Sequence, residues 1–178
     1  MLAEPLPTVT TRAVTPHDMS EVSALGVRVF GPGRFARTAY RVREGTPDVS
    51  PYCRLAECEG KIIASLRMTE IEIGGRSGGL LLGPLAVDPA HENKGYGRRL
   101  IAESLEIARR GGLRLVLLVG DLAYYGRLGF VVVPPGQIQL PGPADPARVL
   151  ALELAAGALT VTGGPVTARW HRPAVGRT

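Results

Sequence analysis

The chain has 178 residues, 45% of them apolar, with 23 glycines, 15 prolines and a formal net charge of +5. That length suits one domain with a proper core, and no apolar run approaches the ~18 residues of a membrane span. Cys53 and Cys58 have no second pair to complete a metal site, and His17, His91 and His171 show no ligand spacing. No metal is expected, and the two thiols read as reduced and partly buried.

The opening MLAEPLPTVTTR lacks a basic region followed by an apolar stretch, so no signal peptide is expected and the cytoplasm is the default location. Nearly all cations are arginines, with Lys61 and Lys94 the only lysines. The arginines are scattered and not interleaved with aromatics, which gives nucleic acid little support as a partner. An anionic cofactor would use the same excess charge.

Residues 8–15 read as a first strand. Residues 16–30 read as a helix, with Pro16 near its start and Met19, Val22, Leu25 and Val29 three to four apart. Gly31-Pro32-Gly33 breaks it. Residues 34–44 predict a second helix with Phe35, Ala39 and Val42 on one side, and residues 45–51 a loop. Residues 53–58 and 61–73 read as strands joined by the tight Glu59-Gly60 turn. Residues 74–79 read as a turn into a strand over 80–87. Within that strand Pro84 cannot donate a ladder hydrogen bond, which predicts a bulge or splay.

Residues 98–110 form the clearest helix, with Leu100, Ile101, Leu105 and Ala108 on one apolar face and Gly111-Gly112 as its stop. Residues 113–119 read as a buried strand by their continuous apolar run. Asp121 can cap a short helix through Tyr124, Tyr125 and Leu128. Residues 130–133 make another strand, stopped by Pro134-Pro135. Further on Pro and Gly dominate; residues 148–154 fit either a strand or a short helix, and the last dozen are expected to be loose. The order β-α-α-β-β-β-α-β-α-β predicts an α/β or α+β fold with a mixed sheet and helices on its faces. It is expected to be one domain with a core over about residues 8–154.

The stretch LLLGPLAVDPAHENKGYGRRL, residues 80–100, carries the functional signal. It reads as strand, turn, glycine loop and helix start. Free N–H groups and the dipole at a helix N-terminus favour an anion. Gly95 and Gly97 let the backbone approach a ligand, and Lys94, Arg98 and Arg99 add positive charge. No Walker string G-x-x-x-x-G-K-[ST] occurs. The dinucleotide fingerprint G-x-G-x-x-G finds Gly95 and Gly97 but meets Leu100 at its third glycine, and residues 88–92 separate the loop from its strand. Asp121, after the next strand, keeps that rival open.

Glu92-Asn93-Lys94-Gly95-Tyr96-Gly97 resembles the acetyl-CoA loop [QR]-x-x-G-x-[GA] of the GCN5-related N-acetyltransferases (GNAT). The lead-in Leu85-Ala86-Val87-Asp88-Pro89 matches the same family. Tyr124-Tyr125-Gly126-Arg127-Leu128-Gly129-Phe130 resembles its Y-x-x-x-G-F element, and LLVGD...AYYGRLGF looks like its YhbS-like bacterial branch. The resemblance covers roughly residues 8–133. It implies a GNAT-like fold: a mixed, mostly antiparallel central sheet, splayed parallel strands at 80–87 and 113–119, and helices on both faces. It also implies acetyl-CoA as co-substrate without a metal, with pantetheine lying between the splayed strands. The acyl carbonyl would sit on main-chain N–H groups of Leu85, Ala86 and Val87. The pyrophosphate would sit over Asn93 to Arg98, within a binding set of Glu92, Asn93, Lys94, Gly95, Tyr96, Gly97, Arg98 and Arg99. Tyr125, four before Gly129, takes the position of the family's general acid.

The activity so implied is transfer of an acetyl group to a primary amine of a small molecule by direct attack. An enzyme of the same fold acting on a protein or peptide amine, and a non-catalytic acyl-CoA-binding or sensor module, are the rivals. Two positions depart from the family pattern. Glu92 stands where Gln or Arg is usual, which brings a carboxylate near a pyrophosphate, and Leu118 and Val119 stand where many relatives carry Asn. Glu70, Glu72, His91 or a water chain are the candidates for general base. Arg34, Phe35, Arg37 and Tyr40 lie on the helical pair that roofs the acceptor site in this fold. Trp170-His171 could cover a substrate or a partner subunit, which leaves a homodimer open.

Overall fold

The structure is a computed structural model that describes residues 7–32 and 38–169. In chain order come β1 (Val9–Ala13), α1 (Met19–Phe30), α2 (Thr38–Arg43), β2 (Arg54–Cys58), β3 (Lys61–Ile73) and β4 (Arg76–Val87). They are followed by α3 (Tyr96–Arg110), β5 (Leu115–Val119), α4 (Leu122–Tyr125), β6 (Val131–Val132) and β7 (Ile138–Gln139). The chain ends with β8 (Val149–Glu153), α5 (Ala158–Val161) and β9 (Gly164–Ala168). Hydrogen-bonded neighbours follow the order β1-β2-β3-β4-β5-β8-β6, with β9 also on β3 and β7 on β9. β4/β5 and β7/β9 are parallel, while β1/β2, β2/β3, β3/β9, β5/β8 and β6/β8 are antiparallel. This is the mixed, mostly antiparallel sheet that the sequence predicts.

The chain divides into two compact units. Among the described residues the first takes 7–32, Pro47–Met68 and Leu82–Gly112; the second takes Thr38–Thr46, Thr69–Leu81 and 113–169.

In the first unit, the carboxylate of Asp18 accepts from Thr15 N (2.7 Å) and Oγ1 (2.9 Å), fixing the chain just before α1. α1 buries Leu25 against Val14, Leu55, Ile62 and Ala86. Leu55 faces α1, so its strand neighbour Arg54 faces the other way. There Arg54 meets Glu103 of α3, at 3.0 Å from Nε and 2.8 Å from Nη2. Helices therefore cover both faces of this part of the sheet. Glu103 also accepts from Thr11 Oγ1 of β1 at 2.7 Å and from Arg99 at 3.2 Å, and Ser104 donates to Tyr52 O at 2.8 Å. These bonds fix α3 in place along β1 and β2. Leu100, Ile101, Leu105 and Ala108 are buried as its apolar period predicts. α3 begins at Tyr96, two residues before the expected Arg98, because Gly95 takes the N-cap.

In the second unit, β5 pairs with β8 along its whole length, Leu115 opposite Glu153 through Val119 opposite Val149. That decides the strand-or-helix alternative at 148–154 in favour of a strand. The core joins Ile71, Ile73, Leu81, Leu117, Val133 and Ala151 to Val42 of α2, Ile138 of β7, Ala158 of α5 and Val166 of β9. β5 starts at Leu115 rather than 113, since Arg114 N donates to Gly78 O (2.8 Å) and its carbonyl serves Leu154 and Ala155.

Other boundaries differ for local reasons. β4 starts at Arg76, four residues before the expected strand, because Gly74 (φ 58°) and Gly75 (φ 76°) make the turn by themselves. The Pro- and Gly-rich segment beyond 133, expected to hold at most one element, holds β7, β8, α5 and β9. Its Gly163 and Gly164 cross Gly74 so closely that a Cβ on Gly74 would stand 2.1 Å from Gly163 O. Cys53 (2% exposed) and Cys58 (7% exposed) are free and fully buried, not partly buried. Of the second predicted helix the structure describes Thr38–Arg43. Arg34, Phe35, Arg37, Trp170 and His171 lie outside the described residues.

Candidate active site

The glycine loop that opens α3 belongs to the first unit and is anchored at its head. Asp88 N donates to Ile63 O (2.8 Å), which fixes the loop to β3. The Asp88 carboxylate accepts from Ala90 N at 3.0 Å and meets Arg28 of α1 at 3.3 Å. Its pKa is lowered, first by the Ala90 N–H and then by Arg28, so it stays charged. The sequence reading treats Asp88 only as part of a lead-in; a negative residue just before Pro89 is the signal that it caps a turn.

Beyond it the backbone turns left-handed twice, at Asn93 (φ 59°) and Gly95 (φ 85°). Gly95 takes this conformation without a Cβ penalty and sets the first turn of α3. Arg99 N donates to Gly95 O at 3.0 Å and closes the first turn of the helix. The N–H groups of Tyr96, Gly97 and Arg98 precede it and are the ones a helix leaves without helical partners. Glu92, Asn93, Lys94, Gly95, Arg98 and Arg99 are exposed, Tyr96 is half-buried and Gly97 is buried. Lys94 Nζ donates to Ala90 O (3.3 Å) and Arg99 pairs with Glu103 (3.2 Å). Three cations and one carboxylate, Glu92, therefore surround a fifteen-residue helix start. The arrangement suits a polyanion.

The strand leading into the loop places Leu85 and Val87 half-buried and Ala86 buried, after a cis Gly83-Pro84 bond. β4 pairs with β5 only over Gly79–Leu81 and Leu115–Leu117, although β4 continues to Val87 and β5 to Val119.

Tyr125 belongs to the second unit. Asp121 caps α4 by accepting from Ala123 N at 3.0 Å, as its position predicts. The Tyr125 ring stands edge-on to Phe130, centroids 5.7 Å apart, and to Tyr124 at 4.8 Å. Burial, and then the charge interaction with Tyr124, push its pKa up to about 12. Tyr124, its neighbour, is 39% exposed.

Glu70 and Glu72 are half-buried on β3, where Arg169 N donates to Glu70 O and Glu72 lies opposite Thr167. Tyr40 is half-buried on α2. His91 is beside the loop, its Nδ1 4.0 Å from Asp88 Oδ1 and its ring 6.5 Å from that of Tyr96. An open hollow in the second unit is lined by apolar side chains, among them Val133, Ile138, Leu140, Pro146 and Val149. Among the described residues no cluster of His, Cys, Asp or Glu could hold a metal ion, and no helix is long and apolar enough to cross a membrane.

The profile of the Acetyltransferase (GNAT) family matches residues 25–130, a span that takes in the glycine loop and the Tyr125 element together. The chain belongs to the GNAT family. It is an acyltransferase of a family whose enzymes use acetyl-CoA as co-substrate. The uncharacterized N-acetyltransferase YjhQ of Escherichia coli is 31% identical over 116 residues, covering 64% of this chain and 64% of YjhQ. The uncharacterized N-acetyltransferase YhbS of Escherichia coli is 26% identical over 161 residues, covering 90% of this chain and 96% of YhbS. The structure of YhbS in complex with CoA shares the fold, with a TM-score of 0.79 at 24% identity over 95% of this chain and 94% of that one. A GNAT acetyltransferase from Brucella melitensis in complex with acetyl-CoA gives 0.60 at 27% identity over 82% and 96%. The GNAT assignment sets the dinucleotide rival aside, and Leu100, where its third glycine would stand, is fully buried.

Proposed function

We propose that the chain transfers the acetyl group of acetyl-CoA to a primary amine of a small molecule by direct attack, in a cytoplasmic setting. The observation that carries this is the start of α3. A left-handed Gly95 and three backbone N–H groups stand among Lys94, Arg98 and Arg99, within a span that matches the GNAT family. In this reading Asn93 to Arg98 hold the pyrophosphate, with Glu92 contributing backbone and Arg99 adding charge at long range. Main-chain N–H groups of Leu85, Ala86 and Val87 hold the acyl carbonyl, where negative charge develops as the amine adds.

The amine must be neutral to attack. For an ammonium of pKa ~10.4, reaching that form at pH 7 takes about 4.6 kcal/mol, which desolvation or a base lowers. The nitrogen forms its bond to the thioester carbon, the carbon–sulfur bond breaks, and the nitrogen's proton leaves to water or to a base. Tyr125 meets the departing sulfur with its hydroxyl proton.

The test is a screen of small amines and amine-terminated peptides with acetyl-CoA, reading released thiol. Small amines turned over in preference to peptides are the expected result. Peptides preferred would move the acceptor to the protein class. Binding of acetyl-CoA without turnover of any amine would make the chain an acyl-CoA sensor. A melting temperature raised by NAD and not by acetyl-CoA would overturn the reading altogether.

A further inference from the structure

We propose that Gly120 is a positioning residue for the acyl transfer, because its missing side chain makes the space in which the Tyr125 ring stands. The proposal rests on the reading of Tyr125 as the general acid.

Gly120 follows directly on β5, and its φ is not left-handed. Its N–H donates to Arg148 O at 2.9 Å, so its backbone is held. An alanine could adopt this backbone, which leaves space as the reason for glycine. A Cβ built there would lie 2.7 Å from Tyr125 Cε2, 3.1 Å from Tyr125 Cδ2 and 2.9 Å from Leu118 Cδ1. Carbon atoms in contact prefer about 3.5–4.0 Å, so one of these side chains has to move.

The ring has little room to do so. Phe130 and Tyr124 also pack against it, with ring centroids 5.7 Å and 4.8 Å away. Its backbone is tied on both sides, Tyr125 N to Asp121 O at 2.9 Å and Phe130 N to Tyr125 O at 3.2 Å. A methyl group at 120 therefore tilts the ring and carries its hydroxyl off line. Proton donors act through position, and a displacement of about 1 Å can cost ~100-fold in rate.

The test uses the full chain as wild type, Gly120→Ala, Tyr125→Phe and the double variant. Each is assayed with acetyl-CoA and the best amine of the screen, and each is labelled with 3-fluorotyrosine. The ¹⁹F resonance of Tyr125 is assigned by its loss in Tyr125→Phe. Gly120→Ala is expected to shift that resonance and to lower kcat about ten-fold or more, with KM for acetyl-CoA within about two-fold. In the Tyr125→Phe background it should cost no more than about two-fold. An unmoved resonance, or the same fold loss in both backgrounds, overturns the proposal. In a Leu118→Val background, which removes Cδ1, the loss must persist; recovery there would mean that Leu118 yields instead, and would also overturn it. If Gly120→Ala folds poorly, adding Tyr125→Ala must restore the melting temperature to that of Tyr125→Ala alone, and failure to do so counts against it equally. Tyr125→Phe at full turnover sinks the acid reading and Gly120's catalytic role with it. Tyr125→Phe inactive with the resonance unmoved in Gly120→Ala sinks Gly120's role alone.

Discussion

Replacing Tyr125 by Phe removes one hydroxyl and keeps the ring. The ring's contacts with Phe130 at 5.7 Å and Tyr124 at 4.8 Å are edge-on and made by carbon. Stability should therefore change by less than about 1 kcal/mol. The hydroxyl is held in its neutral form, since burial and Tyr124 push its pKa up to about 12. That is about 3 kcal/mol in favour of the protonated phenol relative to its ordinary value, and about one molecule in ten thousand is ionised at pH 8. Complete transfer to a free thiolate of pKa ~8.5 would be uphill, so in the proposed role the hydroxyl is a donor whose hydrogen bond strengthens as sulfur gains charge. A hydrogen bond to a charged group contributes roughly 1.5–3 kcal/mol. Tyr125→Phe should lower kcat by about 10- to 150-fold and leave KM for acetyl-CoA within about two-fold. The assay is thiol release under saturating amine, with circular dichroism and melting temperature to show an intact fold. Wild-type kcat should also show no loss from Tyr125 ionisation below about pH 11. A folded Tyr125→Phe enzyme with unchanged kcat would make Tyr125 a packing residue and refute the reasoning.

Glu92→Gln removes a like charge beside the proposed pyrophosphate site; at ~7 Å in water that is worth about 0.6 kcal/mol per phosphate charge. KM for acetyl-CoA should fall about two- to five-fold at low salt and less at high salt, and calorimetric titration with CoA would show it. Gly95→Ala has open space for its methyl but forces a left-handed φ of 85° on an L-residue. Strain of about 1–2 kcal/mol should lower the melting temperature by roughly 2–8 °C and weaken CoA binding. A variant that melts and binds as wild type would show that the loop does not need glycine there.

Asp18, Asp88 and Glu103 have folded pKa values below their ordinary ones: Asp18 through Arg12, Asp88 through Ala90 N–H and Arg28, and Glu103 through Thr11, Arg54 and Arg99, which outweigh its burial. Their stabilisation is fully present above the unfolded carboxylate pKa of ~4 and is lost as pH falls through the lowered folded values. Arg12→Ala removes the first of the contacts that lower Asp18 and leaves those from Thr15, so urea midpoints should drop by less between pH 7 and pH 3 than in wild type, with about 1 kcal/mol of the difference gone. An unchanged acid slope would exclude that pair from the effect.

Much of the fold was legible because it is local. The Glu59-Gly60 hairpin pairs Cys58 with Lys61, the apolar stripe of α3 is carried by residues three and four apart, and Asp121 caps the helix it directly precedes. The segment beyond 133 was not legible, since its strands are built by distant partners. β9 pairs Ala168 with Ile71, and the glycines at 163–164 answer to Gly74 across the fold. The same division runs through the site. The loop could be read from Lys94 to Arg99 because glycine spacing, charge and helix start all lie within a few residues. Nothing among the immediate neighbours of Gly120 shows that the Tyr125 ring packs against it.

By itself, then, the sequence determined the order of elements as far as residue 133, the glycine loop that opens α3 and the family to which the chain belongs, because each is written in neighbouring residues. Tertiary structure alone decided which of two adjacent tyrosines is half-buried, which carboxylate anchors α3 and which glycine makes room for a ring. Those outcomes depend on groups brought together by packing, and sequence separation carries no record of that distance.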